Sequence, residues 1–295
     1  MVKMRLSCIL VFFILWVVNP FRTGATASDS LLTERTIRSI YVNYPDSALQ
    51  LLDEAERSSV SGITPFRIDL LRAMCYEIKH DLTAKETCVR RALQNDSIRL
   101  IPERCLPFME MLAGVLETQN KYEEGISVCQ EAIRQARILG YKKEEAVILS
   151  TMARTYIGMK NNTRAQECFE QAVDLLEGTD VREMSRLSTL YGEYMTFLIN
   201  QEQTSKAIET GYKREIVIQR MSEQPGPPPG YIDQQYGFLY TKMAVLLYKN
   251  GEKEKAEEIY GKYQSSHFSQ TLTGKQFGIP YLLDAGRYQE AASLN

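Results

Sequence analysis

The chain has 295 residues, 44% of them hydrophobic, which is enough for a sizeable core in one large domain or a repeat array. Its formal charge is −2 and no block of lysines and arginines occurs, which argues against a nucleic-acid partner, because phosphate binding needs a clustered basic surface. Only two histidines are present, His80 and His267, and neither lies in a His-Glu-x-x-His frame, so zinc chemistry of the usual kinds is not expected.

The N-terminus reads as a targeting segment. Lys3 and Arg5 give a positive start, and Leu6 to Val18 is an apolar run of 13 residues. That is short of the roughly 20 needed to span a bilayer. Ala25-Thr26-Ala27 is a small-x-small cleavage site, so residues 1–27 are expected to be a signal peptide and the chain to be exported, to a periplasmic or other extracytoplasmic location. Cleavage would remove Lys3, Arg5 and Arg22 and no acid, leaving a mildly acidic chain over 28–295.

Export implies an oxidising compartment, yet the cysteines do not form a disulfide framework. Five remain after residue 27, at positions 75, 88, 105, 129 and 168, and no Cys-x-x-Cys pair occurs. Cys129 and Cys168 fall on apolar helix faces, where cysteine packs as a small hydrophobe. Cys75 and Cys88 share one helical hairpin, and spacing alone leaves a bridge between them open.

From residue 37 onward one pattern recurs: a first helix, a polar turn, and a second helix with two small residues seven apart. The first copy has Ile37, Ile40 and Tyr41, then Ala48, Leu52 and Ala55, with Asp46 expected to cap the second helix. The next keeps Ala73, Tyr76, Val89 and Ala92, but Lys85 stands at a small position. The third runs through Met109, Leu112, Ala113 and Leu116, a turn at 120–125, then Cys129 and Ala132. The clearest copy reads Leu149, Met152, Ala153, Tyr156, a turn at 160–163, then Ala165, Phe169 and Ala172. Tyr191, Tyr194, Met195 and Leu198 lead to Ala207 in the fifth, which carries Arg214 where a small residue is expected. The sixth reads Tyr240, Met243, Ala244, Leu247, Ala256 and Tyr260, with Tyr263 in the last small position. A further hairpin starts at Leu282 and is incomplete at Asn295. Residues 224–230, Gln-Pro-Gly-Pro-Pro-Pro-Gly, cannot be helical and are expected to form an extended surface loop between repeats.

Positions three and four apart share a helix face, so the small residues let backbones approach while Tyr156 and Phe169 fill the wedge to the next helix. This spacing resembles the tetratricopeptide (TPR) repeat. The resemblance implies an all-α, right-handed superhelical solenoid of about six hairpins, the last incomplete, whose usual work is to hold another protein or peptide. Ala92, Ala132 and Ala172 are 40 residues apart rather than about 34, so the second helices or the loops after them should be long.

By analogy with TPR proteins, residues just off the packing positions of the first helices face the binding groove. The candidates are Glu110 and Glu117, Ser150 and Arg154, Thr196 and Asn200, and Thr241 and Tyr248, with Thr189 and Val245 beside them. The paired lysine and asparagine of TPR domains that clamp a terminal carboxylate are absent, so that specificity is not expected. No Gly-x-Ser-x-Gly, phosphate-cradling loop or Cys–His arrangement is present, so no catalytic residue, metal or cofactor is expected. An exported TPR chain with long repeats and the opening Tyr44-Pro45-Asp46-Ser47-Ala48-Leu49 is similar to the periplasmic sensory regions of bacterial transmembrane regulators. That resemblance implies a non-enzymatic sensor of a protein or peptide. It also implies membrane attachment only through the N-terminal segment or a span beyond residue 295, the chain being a fragment. The alternatives are a free periplasmic scaffold for envelope or secretion complexes and, less in keeping with the residues, an enzyme using the groove.

Overall fold

The computed structural model describes residues 33–58 and 62–294; the expected signal peptide lies outside them. All regular structure among the described residues is helical, and the chain divides into two compact units between Gln119 and Asn120.

The first unit contains α1 (Glu34–Ile40), α2 (Pro45–Arg57), α3 (Pro65–Ile78), α4 (Leu82–Gln94), a single turn α5 (Asp96–Arg99) and α6 (Pro102–Thr118). Ile37, Ala48, Leu52, Leu71 and Cys75 form its fully buried centre. Three of these helices open on proline, whose fixed φ suits the first helical position and whose missing N–H would find no partner there. This corrects the expected role of Asp46. Because Pro45 already starts α2, Tyr44 is the cap residue and Asp46 sits in the first turn, where its carboxylate accepts from Lys79 Nζ. Lys85 does occupy a packing position, 6% exposed. Its stem is buried while its ammonium reaches Glu77 at 3.0 Å.

The second unit contains α7 (Tyr122–Leu139), α8 (Lys142–Gly158), α9 (Asn162–Leu175), α10 (Val181–Asn200), α11 (Thr204–Ser222), α12 (Tyr231–Lys249), α13 (Lys253–Gln264), a 3-10 turn (Phe268–Gln270), α14 (Leu272–Asp284) and α15 (Tyr288–Ser293). Successive pairs from α8 onward are antiparallel hairpins. Ala153, Ala165 and Ala172 are fully buried between α8 and α9, and Phe169 stacks on Tyr194 at 5.4 Å and packs on Phe197 at 5.6 Å. The long repeat resides partly in helix, since α7 runs 18 residues to a left-handed Gly140. Residues 224–230 link α11 to α12 without helix.

The turns are tighter than the polar runs suggest, because α9 already starts at Asn162 and α7 at Tyr122. Five hairpin turns use one left-handed residue: His80, Lys160 and Glu202 have φ of 55°, 58° and 57°, and Gly251 and Gly286 take the same place. The next N–H then returns to the helix end, as in Asn161 to Tyr156 O at 2.9 Å and Gln203 to Leu198 O at 2.9 Å. Asp81 and Asn161 also cap the second helices of their hairpins.

All five described cysteines are buried and unbridged, Cys75 and Cys88 included. Burial pushes the thiols of Cys75, Cys88 and Cys168 up to about 11, which keeps them as unreactive packing groups.

Candidate functional site

The first helices α8, α10, α12 and α14 of the second unit line a groove of about 540 Å³. On α10, Thr189, Glu193, Thr196 and Asn200 recur at helical spacing along it, with Gly192 beside them. Arg154 and Ile157 come from α8, Gln235, Phe238 and Lys242 from α12, and Phe277 from α14. Two lining residues come from second helices: Phe169 of α9 and Arg214 of α11.

One wall is a closed ion-pair network. Arg154 Nη1 donates to both oxygens of Glu193 at 3.2 and 3.1 Å, and its Nη2 donates to Thr151 at 3.1 Å. Ser150 Oγ donates to the same Glu193 carboxylate at 2.5 Å. This network ties α8 to α10 and leaves the glutamate's charge matched.

The other wall is not matched. Arg214 is only 6% exposed, yet its hydrogen bonds go to neutral groups, Nε to Ser188 Oγ at 3.2 Å and Nη2 to Gln235 Oε1 at 3.0 Å. Gly192 makes room for it: a Cβ there would stand 2.9 Å from Arg214 Nη1. Burial pushes the Arg214 guanidinium down to about 10. Lys242 Nζ donates to Thr196 Oγ1 at 2.8 Å, and that hydroxyl donates onward to Gly192 O at 2.8 Å. Burial, and then the nearby charge of Arg214, lowers the Lys242 ammonium below the usual lysine value. Among the described residues, no carboxylate forms a salt bridge with either cation.

The sequence candidates divide accordingly. Arg154, Thr196 and Asn200 line the groove, as does Thr189; Ser150 lies behind it, 6% exposed, supporting Glu193. Thr241 does not face it. It is 3% exposed and its hydroxyl donates back to Gly237 O at 2.9 Å, so its neighbour Lys242 is the groove residue. Tyr248 is outside the groove, edge-on to Tyr281 at 6.0 Å with Lys253 over its ring. Glu110 and Glu117 are half-buried on α6 of the first unit. Sequence reading missed Gly192, Glu193, Gln235, Lys242, Phe238 and Phe277. It noticed Arg214 only as a flaw in the repeat, although an arginine in a slot meant for a small side chain was itself the signal.

A second hollow of about 430 Å³, between α7, α8 and α9, also carries arginines. Each of them is paired: Arg134 with Glu131, Arg137 with Glu145, and Arg164 with Glu167. Among the described residues, no group of His, Cys, Asp and Glu is arranged to hold a metal ion, and no helix is long and apolar enough to cross a membrane.

The tetratricopeptide-repeat family profile matches residues 107–178. No sequence among curated proteins matches the chain. Among solved structures, the apo form of RapI aligns with a TM-score of 0.59 at 12% identity, covering 90% of this chain and 94% of that one. The STAND protein PH0952 of Pyrococcus horikoshii, which has a tetratricopeptide repeat sensor, aligns at 0.61 and 14%, covering 88% of this chain and 40% of that one. The apo quorum sensor NprR of B. thuringiensis aligns at 0.51 and 14%, covering 88% and 73%. The likeness at these identities is one of fold. The protein has an all-α TPR fold, the fold of a protein-interaction module.

Proposed function

We propose that this protein is a non-enzymatic sensor module that holds a protein or peptide in the groove of its second unit, on the outer side of a bacterial inner membrane. The observation that carries the binding role is the groove itself. Stacked first helices line it, its volume is about 540 Å³, and it combines fixed charge with Phe238 and the 38%-exposed Phe277. The sensor role is supported by the fold shared with two proteins described as sensors, and the location by the signal-like residues 1–27. A ligand would act by favouring one arrangement of the stacked hairpins over another, with no bond chemistry.

Selection of displayed heptapeptides against the protein tests the binding role. Peptides should emerge that bind the unaltered protein and lose at least about tenfold affinity to Asn200→Trp or Thr189→Trp, both exposed groove positions. Selected peptides indifferent to both substitutions would remove the groove from the account. For location, alkaline phosphatase fused after residue 40 should be active in a bacterial host, and an inactive, cytoplasmic fusion would overturn export. For the regulator reading, the gene beyond the codon for Asn295 should encode a hydrophobic span and an output domain. A stop there would favour the free scaffold.

A further inference from the structure

The three cations most deeply buried among the described residues are Arg72, Lys85 and Arg214. Arg72 is met by Asp53 at 2.7 Å, Glu56 at 2.9 Å and Asp69 at 3.7 Å, and Lys85 by Glu77 at 3.0 Å. Arg214 has only a serine hydroxyl and an amide oxygen. Taking a cation out of water costs several kcal/mol unless an opposite charge meets it. The fold therefore compensates its other two buried cations and leaves the one that opens on the groove. The nearby acids are already engaged. Glu193 is held by Arg154 and Ser150, and Glu215 accepts from Tyr240 at 3.0 Å.

Lys242 repeats the theme from the next first helix. Among the described residues its only hydrogen-bond partner is Thr196, whose hydroxyl returns to Gly192 O. The two cations thus meet at the Gly192 backbone, Arg214 beside its open Cα and Lys242 through the Thr196 hydroxyl, and both line the groove. The Arg214 Nη1 nitrogen, which makes no hydrogen bond among those of the described residues, lies at that opening. Phe238 and Phe277 lie on the same groove, 4.9 Å apart ring to ring.

We propose that Arg214 and Lys242 form an anion subsite that receives a carboxylate of an acidic peptide segment, whose neighbouring apolar side chain rests on Phe238 and Phe277. This rests on the groove being the ligand site and adds the class of ligand. The guanidinium edge and the ammonium supply two charge-assisted donors, and the Gly192 backbone allows close approach. Positive lining beside aromatic surface fits an acidic and apolar peptide better than a free inorganic anion, which would leave the phenylalanines unused. Charge complementarity of this kind also steers association and rejects basic competitors.

The test uses two peptides, Ac-Asp-Phe-Asp-Phe-NH2 and its asparagine counterpart Ac-Asn-Phe-Asn-Phe-NH2, with sodium sulfate as a third probe. Arginine Nε–Hε resonances of the isotope-labelled protein provide the readout. The acidic peptide should shift the Arg214 signal saturably and bind at least about tenfold more tightly than the amide peptide. Arg214→Gln, which can keep bonds to Ser188 and Gln235, and Lys242→Met should each abolish that preference. They should weaken binding of the amide peptide far less than binding of the acidic one. Should Arg214→Gln fail to fold, Lys242→Met and Thr196→Val carry the same comparison from half-buried or exposed positions. Equal affinity for the two peptides, with shifts at Thr196 and Phe277, would leave the groove as a peptide site and overturn the anion subsite. Saturable shifts with sulfate and none with either peptide would overturn the acidic-peptide occupant. Silence at Arg214 with all three probes would overturn the subsite, while the displayed-peptide selection judges the groove separately.

Discussion

The α8–α9 and α10–α11 hairpins are neighbouring copies of one design that solve the same packing problem differently. In α8–α9 the helices meet through Ala153, Ala165 and Ala172, all fully buried, and the buried Thr155 hydroxyl finds its partner within its own helix, donating to Thr151 O at 2.9 Å. In α10–α11 the slot corresponding to Ala172 holds Arg214, and Gly192 across from it is what makes the exchange fit. The regular hairpin gives stability through close apolar packing. The irregular one places a positive charge where a groove can use it and accepts a less favourable interior. Departures from a repeat can therefore report function when the surrounding residues have adjusted to them.

The largest effect should come from imposing the irregular solution on the regular hairpin. Ala172→Arg puts a charge into a slot that is fully buried, so it should cost more than about 4 kcal/mol in denaturant titrations or prevent folding of the second unit. A loss below 1 kcal/mol would show that the slot is loosely packed. The reverse exchange, Arg214→Met, should be neutral or stabilising by up to about 1–4 kcal/mol, because an uncompensated buried cation is replaced by an apolar side chain. Marked destabilisation would mean that the bonds to Ser188 and Gln235 outweigh the desolvation. Gly192→Ala should destabilise the unaltered protein and do so less in the Arg214→Met background, a coupling that a double-mutant cycle reads directly.

A further prediction separates groove charge from structural charge. Glu183 is 5% exposed and accepts from Thr179 N at 2.8 Å and from the Thr179 hydroxyl. Those bonds hold its carboxyl below the ordinary value of 4.5. Glu170 is lowered likewise, first by Lys206 and also by Tyr194. A carboxylate depressed in the folded state contributes stability above its unfolded value, and that contribution is lost as pH falls below about 4.5. Acid should therefore destabilise the second unit from that point downward. Glu183→Gln should cost about 1–3 kcal/mol at neutral pH and flatten the acid limb. An unchanged pH profile would contradict the assignment. The smallest effect belongs to the turn between α8 and α9. Lys160 holds a φ of 58°, so Lys160→Gly should raise stability by about 0.5–1 kcal/mol, and a loss would show that its backbone is not strained.

Much of this was legible in the residues. Alanines at fixed spacing announce where helices touch, and polar runs before them mark the turns, so the hairpins from α8 to α13 follow from the pattern. Register on a helix is harder to read. Thr241 and Lys242 differ by one position, about 100° of turn, and that difference decides which of them is buried and which meets the groove. Glu193 and Phe277 were invisible for another reason: their importance depends on Arg154 and Phe238, which are distant in sequence and close only in the fold. Arg214 was visible but read as a weakened repeat, because its compensating Gly192 is 22 residues earlier on the opposing helix.

The most direct test of the account compares thermal unfolding of the unaltered protein and Arg214→Met in sodium sulfate and in sodium chloride at equal ionic strength. Sulfate excluded from the surface should raise both midpoints alike. An anion seated between Arg214 and Lys242 should raise the unaltered protein's midpoint further, by several degrees, since binding to the folded state alone adds stability. Equal increments for the two proteins would contradict the claim that this groove is built around an unmatched charge.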